Sequence, residues 1–295
     1  MMATKRTLPQ SAFQQMRTTL FDDSPHTLAQ PFEDWLTNSK SFALFVQTYQ
    51  QKIRKKIRMS RDDEERYDLY CELRTAYLLV QEPKFVVAYE LYTKQQGRSP
   101  DFAVTYRTHT PFHVEVTRLR ALDQGMPLGT QETGSENDEA IEKADRASNQ
   151  GPEASTAWHG RDASRRLEDV VCDKMRQLSP STPNVLWMWV HSQTRDEIDL
   201  AQQIPALKRR AEQRDAALLA RHGFRNPADF MRHYQRLSLI LVQSPQTQAG
   251  DGSPLVWINN DARHPLPAPV RHILAALVAT DSSQDYRGAG NREEV

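Results

Sequence analysis

Two acidic residues, Asp101 and Glu115, sit where their spacing could do chemistry. Pro100-Asp101 opens a short alternating run in which Phe102, Val104 and Tyr106 interleave with Ala103 and Thr105. A second run follows after a turn, with Phe112, Val114 and Val116 interleaved with His113, Glu115 and Thr117. Side chains on a strand point alternately to opposite faces, so Glu115 and Thr117 share one face while the valines pack on the other. The pattern sets one carboxylate at the start of a strand and a second in the middle of its neighbour. Two converging carboxylates suit a hard divalent cation such as Mg²⁺ or Mn²⁺, which takes oxygen ligands and keeps several waters. The same alternation also describes an ordinary hairpin with one polar face, so the surrounding elements must decide.

Upstream, residues 61–80 carry Leu69, Tyr70, Leu73, Ala76, Tyr77 and Val80 at the spacing of an amphipathic helix. Ser60 is the expected N-cap, with Asp62, Asp63, Glu64 and Glu65 at the positive end of the helix dipole. Glu72 falls at the edge of the apolar stripe, where it can lean toward a sheet. A strand over residues 84–91 follows. Downstream, residues 165–178 place Leu167, Val170, Val171, Met175 and Leu178 on one stripe, and Lys174 falls in that stripe. A buried unpaired ammonium is costly, so Lys174 must either snorkel outward or meet carboxylates. Gln177, three residues on, is set beside it. The unbroken apolar run over residues 184–190 reads as a strand covered on both faces.

This order, αβββαβ with Glu72, Asp101 and Glu115 as its acids, resembles the PD-(D/E)XK nuclease superfamily, the restriction-endonuclease-like fold. The resemblance covers residues 60–192 and rests on Pro100-Asp101, on Glu115-Val116-Thr117 and on Glu72 in the preceding helix. It implies a mixed central sheet flanked by helices, here extended by further C-terminal helices and strands. It also implies one or two Mg²⁺ or Mn²⁺ ions held by Asp101, Glu115, the Val116 carbonyl and Glu72. In that superfamily a lysine two positions after the third acid positions the attacking water. Here that position is Thr117, a departure, because a hydroxyl brings no positive charge. Lys174 is the candidate for a lysine that has migrated to the neighbouring helix, with Gln177 beside it. Arg118 is expected to leave the strand on the opposite face.

Composition frames these readings. The 38 basic and 38 acidic residues give a formal net charge of zero, so attraction to a nucleic-acid backbone has to come from a local patch. The clearest basic runs are Lys52 to Arg58 and Lys208-Arg209-Arg210, each of which also fits a solvated helix face. The two cysteines, Cys71 and Cys172, have no metal-ligand spacing and suit a reducing compartment. The N-terminus lacks a signal-type apolar segment and no run is long enough to span a membrane, so a cytoplasmic protein is expected. No glycine-rich phosphate loop, G-x-S-x-G elbow or H-E-x-x-H motif occurs.

The expected organisation is a polar arm over 1–30 and a single domain over 31–278, followed by a polar tail over 279–295. Within the domain a helix spans 31–58, and a disordered insertion occupies about 123–164. Helices are expected over 199–221, 227–234 and 267–278, and strands over 237–243 and 255–259. Two functions follow. One is a metal-dependent hydrolase of phosphodiester bonds in DNA, with RNA as the lesser candidate. The other is a catalytically inactive protein of the same fold that binds or scaffolds. Nothing in the sequence fixes an oligomeric state.

Overall fold

The computed structural model describes residues 10–21, 27–90, 99–120, 152–244 and 255–289. Among the described residues, four helices come first: α1 (Gln10–Phe21), α2 (Ala29–Asn38), α3 (Lys40–Met59) and α4 (Asp63–Gln81). Three strands follow, β1 (Phe85–Tyr89), β2 (Phe102–Tyr106) and β3 (Thr110–Leu119), then α5 (Pro152–Met175) and β4 (Asn184–Val190). The chain continues through α6 (Ser192–Asp196), α7 (Leu200–Glu212), α8 (Ala216–Arg221) and α9 (Pro227–Tyr234). It closes with β5 (Leu237–Gln243), β6 (Leu255–Ile258) and α10 (Ala268–Ala289).

The six strands form one open mixed sheet in the order β1-β2-β3-β4-β5-β6. Strands β1, β2 and β3 pair antiparallel, β3–β4 and β4–β5 are parallel, and β6 returns antiparallel on β5. Parallel neighbours need a crossover, and α5 supplies it between β3 and β4. Every residue of β4 and β5 is buried, the condition of central strands with helices on both faces. Val114, Val116, Trp187 and Trp189 join α1–α4 and α10 in the core on one face. Leu119, Leu186 and Met188 join α5, α7, α8 and α9 in the core on the other. The indole of Trp187 donates to Gln243 (3.1 Å) and that of Trp189 to Thr75 (2.9 Å), so both tryptophans are satisfied core residues.

Local chemistry moves several boundaries. The helix expected over 31–58 is two helices, because the Ser39 hydroxyl accepts the Phe42 N–H and starts α3 afresh. Asp62, not Ser60, caps α4, its carboxylate accepting the Glu65 N–H at 2.7 Å, while Ser60 ends α3. The expected arm contains α1, and Leu20, Phe21 and Leu28 are buried in the core. Helix α5 begins at Pro152, thirteen residues before the expected 165, and Ala163 is already fully buried. The expected insertion is therefore shortened at its end, and residues 121–151 lie outside those described. The helix expected over 199–221 divides around Arg214, whose φ of 62° is incompatible with a continuing helix. Helix α10 runs to Ala289, into the expected tail.

Candidate functional site

The site grows from a mismatch in strand length. The β2–β3 ladder stops at the pair Phe102 and Val114, whereas β3 runs on to Leu119 alongside β4. Where β2 has ended, the Asp101 carboxylate takes its place, its Oδ2 accepting the Val116 N–H at 2.7 Å. Asp101 thus satisfies a backbone donor that a strand would otherwise have paired. One more step of the register sets Asp101 opposite Glu115, which brings the two acids together at this fork.

Glu115 points to the α5 side, as the alternation requires. There Lys174 reaches from the last turn of α5, its Nζ 2.8 Å from Glu115 Oε1. Both side chains are largely buried, so the lysine of the apolar stripe meets a carboxylate rather than solvent. From the other face α4 contributes Asp68, Cys71 and Glu72. These residues line a cavity of about 280 Å³ together with Asp101, Val116, Thr117, Arg118, Arg120 and Lys174. Glu115 reaches it through its pair with Lys174.

Charge is crowded here. Burial raises the pKa of Asp101 to about 8, and the nearby charges of Glu115 and Glu72 push in the same direction. The Val116 N–H and Lys174 pull the other way and are outweighed. Asp101 is thus an acid that holds a proton near neutrality unless a cation replaces it. Across the cavity, Arg118 donates to Asp68 at 2.8 Å and to Glu64, and its guanidinium lies over the Tyr67 ring at 4.8 Å. Arg120 holds the other Asp68 oxygen at 2.7 Å. Arg118 does turn to the face opposite Glu115, yet it remains part of the cavity wall.

Sequence reasoning missed a second lysine. Lys56 Nζ lies 2.6 Å from Glu72 Oε1 and 2.7 Å from Glu90 Oε1. Burial disfavours its charge, but Glu72 and Glu90 more than compensate, so its pKa is raised. Lys52 donates to the carbonyls of Tyr89 (3.0 Å) and Glu90 (2.8 Å). The basic run over 52–58 therefore turns two of its lysines inward. The available signal was position: Ile53 and Ile57, each next to one of these lysines, are buried, which puts both lysines at the edge of the apolar stripe. The run over 208–210 is likewise engaged, with Lys208 on Asp261 and Arg210 on Glu168 and Asp215.

Gln177 does not join the site. It lies just beyond α5, its N–H donating to the Lys174 carbonyl at 2.8 Å, and it is not part of the cavity wall. The structure thus brings together Glu72, Asp101, Glu115, Val116 and Lys174 and leaves Gln177 aside.

Among the described residues, no three His, Cys, Asp or Glu side chains gather in the spacing of a metal cage. A cage is not what Mg²⁺ requires, since one or two carboxylates with retained waters suffice. The crowded Asp101–Glu115 pair, with a carboxyl that gives up its proton only above neutrality, fits a hard dication by the chemistry of its oxygens. Among the described residues no helix is long and apolar enough to cross a membrane. Compared with protein-family models, curated proteins and solved structures, the chain matches none.

Proposed function

We propose that this protein is a metal-dependent nuclease of the restriction-endonuclease-like fold, acting on phosphodiester bonds in DNA ahead of RNA. One observation carries the reading: acids from the residue preceding β2 and from α4 line a single cavity with the α5 lysine, which is paired in turn with Glu115 of β3. Asp101, Glu115 and the Val116 carbonyl would hold Mg²⁺ or Mn²⁺, with Glu72 beside them. Such an ion supplies Lewis-acid polarisation of a phosphoryl oxygen and a bound water of lowered pKa.

The chain's own groups have separable tasks. Asp101 sheds its proton as the cation arrives, which makes cation affinity rise with pH up to about 8. Lys174 holds the Glu115 carboxylate in place. Its ammonium also stands where negative charge develops on the transferring phosphate, which a preorganised cation stabilises. Thr117, on the cavity wall, offers a hydroxyl that can hydrogen-bond the attacking water. Free buried thiols at Cys71 and Cys172 accord with a cytoplasmic setting.

A second reading is a catalytically inactive binding or scaffolding protein of this fold. It draws on the ion pairs themselves, since Lys174 and Lys56 already neutralise Glu115 and Glu72. Calorimetry separates the two. The nuclease reading expects Mn²⁺ binding that disappears in Asp101→Asn/Glu115→Gln, together with cleavage of a nucleic acid. No binding at millimolar Mg²⁺ or Mn²⁺ and no cleavage would leave the binding protein.

A further inference from the structure

Lys56 does more than a surface ion pair requires. It lies between two carboxylates from different elements, Glu72 of α4 and Glu90 just after β1, at 2.6 and 2.7 Å. Its ammonium stands over the Tyr89 ring, 5.1 Å from the centroid. The Tyr89 hydroxyl is buried beside Glu72 and feels the charges of Glu72, Glu90 and Asp101. Two carboxylates with a buried phenol oxygen beside them make an all-oxygen surround, the donor type of a hard divalent cation.

The backbone is arranged to keep it so. Glu90 adopts a φ of 46°, a left-handed conformation that a residue with a Cβ rarely takes. Its N–H donates to the Asp101 carbonyl at 2.9 Å and its carbonyl accepts from Lys52 at 2.8 Å. A strained residue tied directly to Asp101 turns its carboxylate toward Glu72. Strain of this kind persists where the surroundings over-determine it, and it clusters at functional sites.

We propose that the Lys56 ammonium occupies, as a tethered monovalent cation, a second cation position formed by Glu72, Glu90 and Tyr89, so that the site takes one divalent ion instead of two. The inference rests on the reading of Asp101 and Glu115 as ligands of that one ion. A fixed ammonium needs no uptake from solution and holds Glu72 in place before substrate arrives. In two-ion sites the ions lie about 4 Å apart and share the charge of the attacking and leaving oxygens. Here the second charge is built into the chain and is one unit smaller.

The test is Mn²⁺ binding to the full chain, with stoichiometry from calorimetry and ion–ion coupling from electron paramagnetic resonance. Lys56→Met keeps the aliphatic stem over Tyr89 and removes the charge. The expected result is one Mn²⁺ in the wild type and two coupled Mn²⁺ in Lys56→Met, with a return to one in Lys56→Met/Glu90→Gln. Two ions in the wild type, an unchanged count in Lys56→Met, or a second ion without coupling to the first would overturn the inference. A wild type that binds none, beside a Lys56→Met protein that binds one ion lost again with Glu90→Gln, would support it. That outcome would reject the Asp101–Glu115 reading instead. If Lys56→Met does not fold, Lys56→Gln is measured in its place and judged on the same counts.

Discussion

Asp101→Asn should change how stability depends on pH, and the sign follows from the raised pKa. Folding lifts this carboxyl from an ordinary value near 3.8 to about 8, so between those values the folded chain keeps a proton that the unfolded chain has released. Raising the pH through that window therefore favours unfolding, by about 1.4 kcal/mol for each pH unit. From pH 6 to pH 9 the single group contributes a loss of roughly 2–3 kcal/mol, complete once the pH passes about 8. The Asp101 carboxyl interacts strongly with its charged neighbours, which makes that figure a ceiling. Asparagine keeps the oxygen that accepts the Val116 N–H and removes the ionisation. Urea unfolding without divalent cations at pH 6, 7, 8 and 9 supplies the comparison. The wild type should lose stability relative to the variant as the pH rises, and the variant should be the more stable at pH 9. Mg²⁺ at 10 mM should restore the wild type and leave the variant unmoved. Parallel curves for the two proteins, or a wild type that gains on the variant with rising pH, would refute the reasoning.

Three further outcomes are expected. Lys174→Ala should lower nuclease turnover by about 10²-fold, the cost of removing one preorganised transition-state partner, while circular dichroism shows the fold intact. Arg118→Ala should cost about 1 kcal/mol in urea unfolding, because a buried guanidinium and its bonds to Asp68 and Glu64 are lost while Arg120 still pairs with both exposed acids; an unchanged midpoint would show that the cluster is solvated. Replacing residues 123–150 with a short flexible linker should leave the melting temperature nearly unchanged, since that stretch carries few apolar residues. Extending the deletion to residue 164 should lower it, because Ala163 is buried.

What the sequence revealed follows the strength of its periodicity. Strands β4 and β5 and helix α9 stood out because apolar runs and a proline start mark them sharply, and their expected limits agree with the structure. The lysine in the α5 stripe was legible for an energetic reason: a buried ammonium demands a partner, and Glu115 is that partner. The start of α5 was obscured because residues 152–164 are polar and resemble the stretch before them, so composition masked a helix. Ser39 could not be distinguished from a helical serine, since its capping role depends on a backbone that sequence does not display. Lys56, Glu90 and Tyr89 were illegible for a different reason. They meet Glu72 only through tertiary packing of α3 against α4 and the end of β1, and nothing local signals that meeting. Asp101 lay between these cases: the alternation placed it next to a strand, but its role as a substitute for the missing β2 residue appeared only with the register.

Asp101 and Glu115 are proposed to hold a divalent ion for phosphodiester hydrolysis beside Lys174. The most direct measurement is cleavage of end-labelled single- and double-stranded DNA and RNA with Mg²⁺, Mn²⁺ or EDTA, in the wild type and in folded Asp101→Asn/Glu115→Gln. The wild type should cleave DNA with either ion and not in EDTA, and the double variant should not cleave it. Cleavage that survives EDTA or the double substitution, or no cleavage of any of the four substrates, would contradict it.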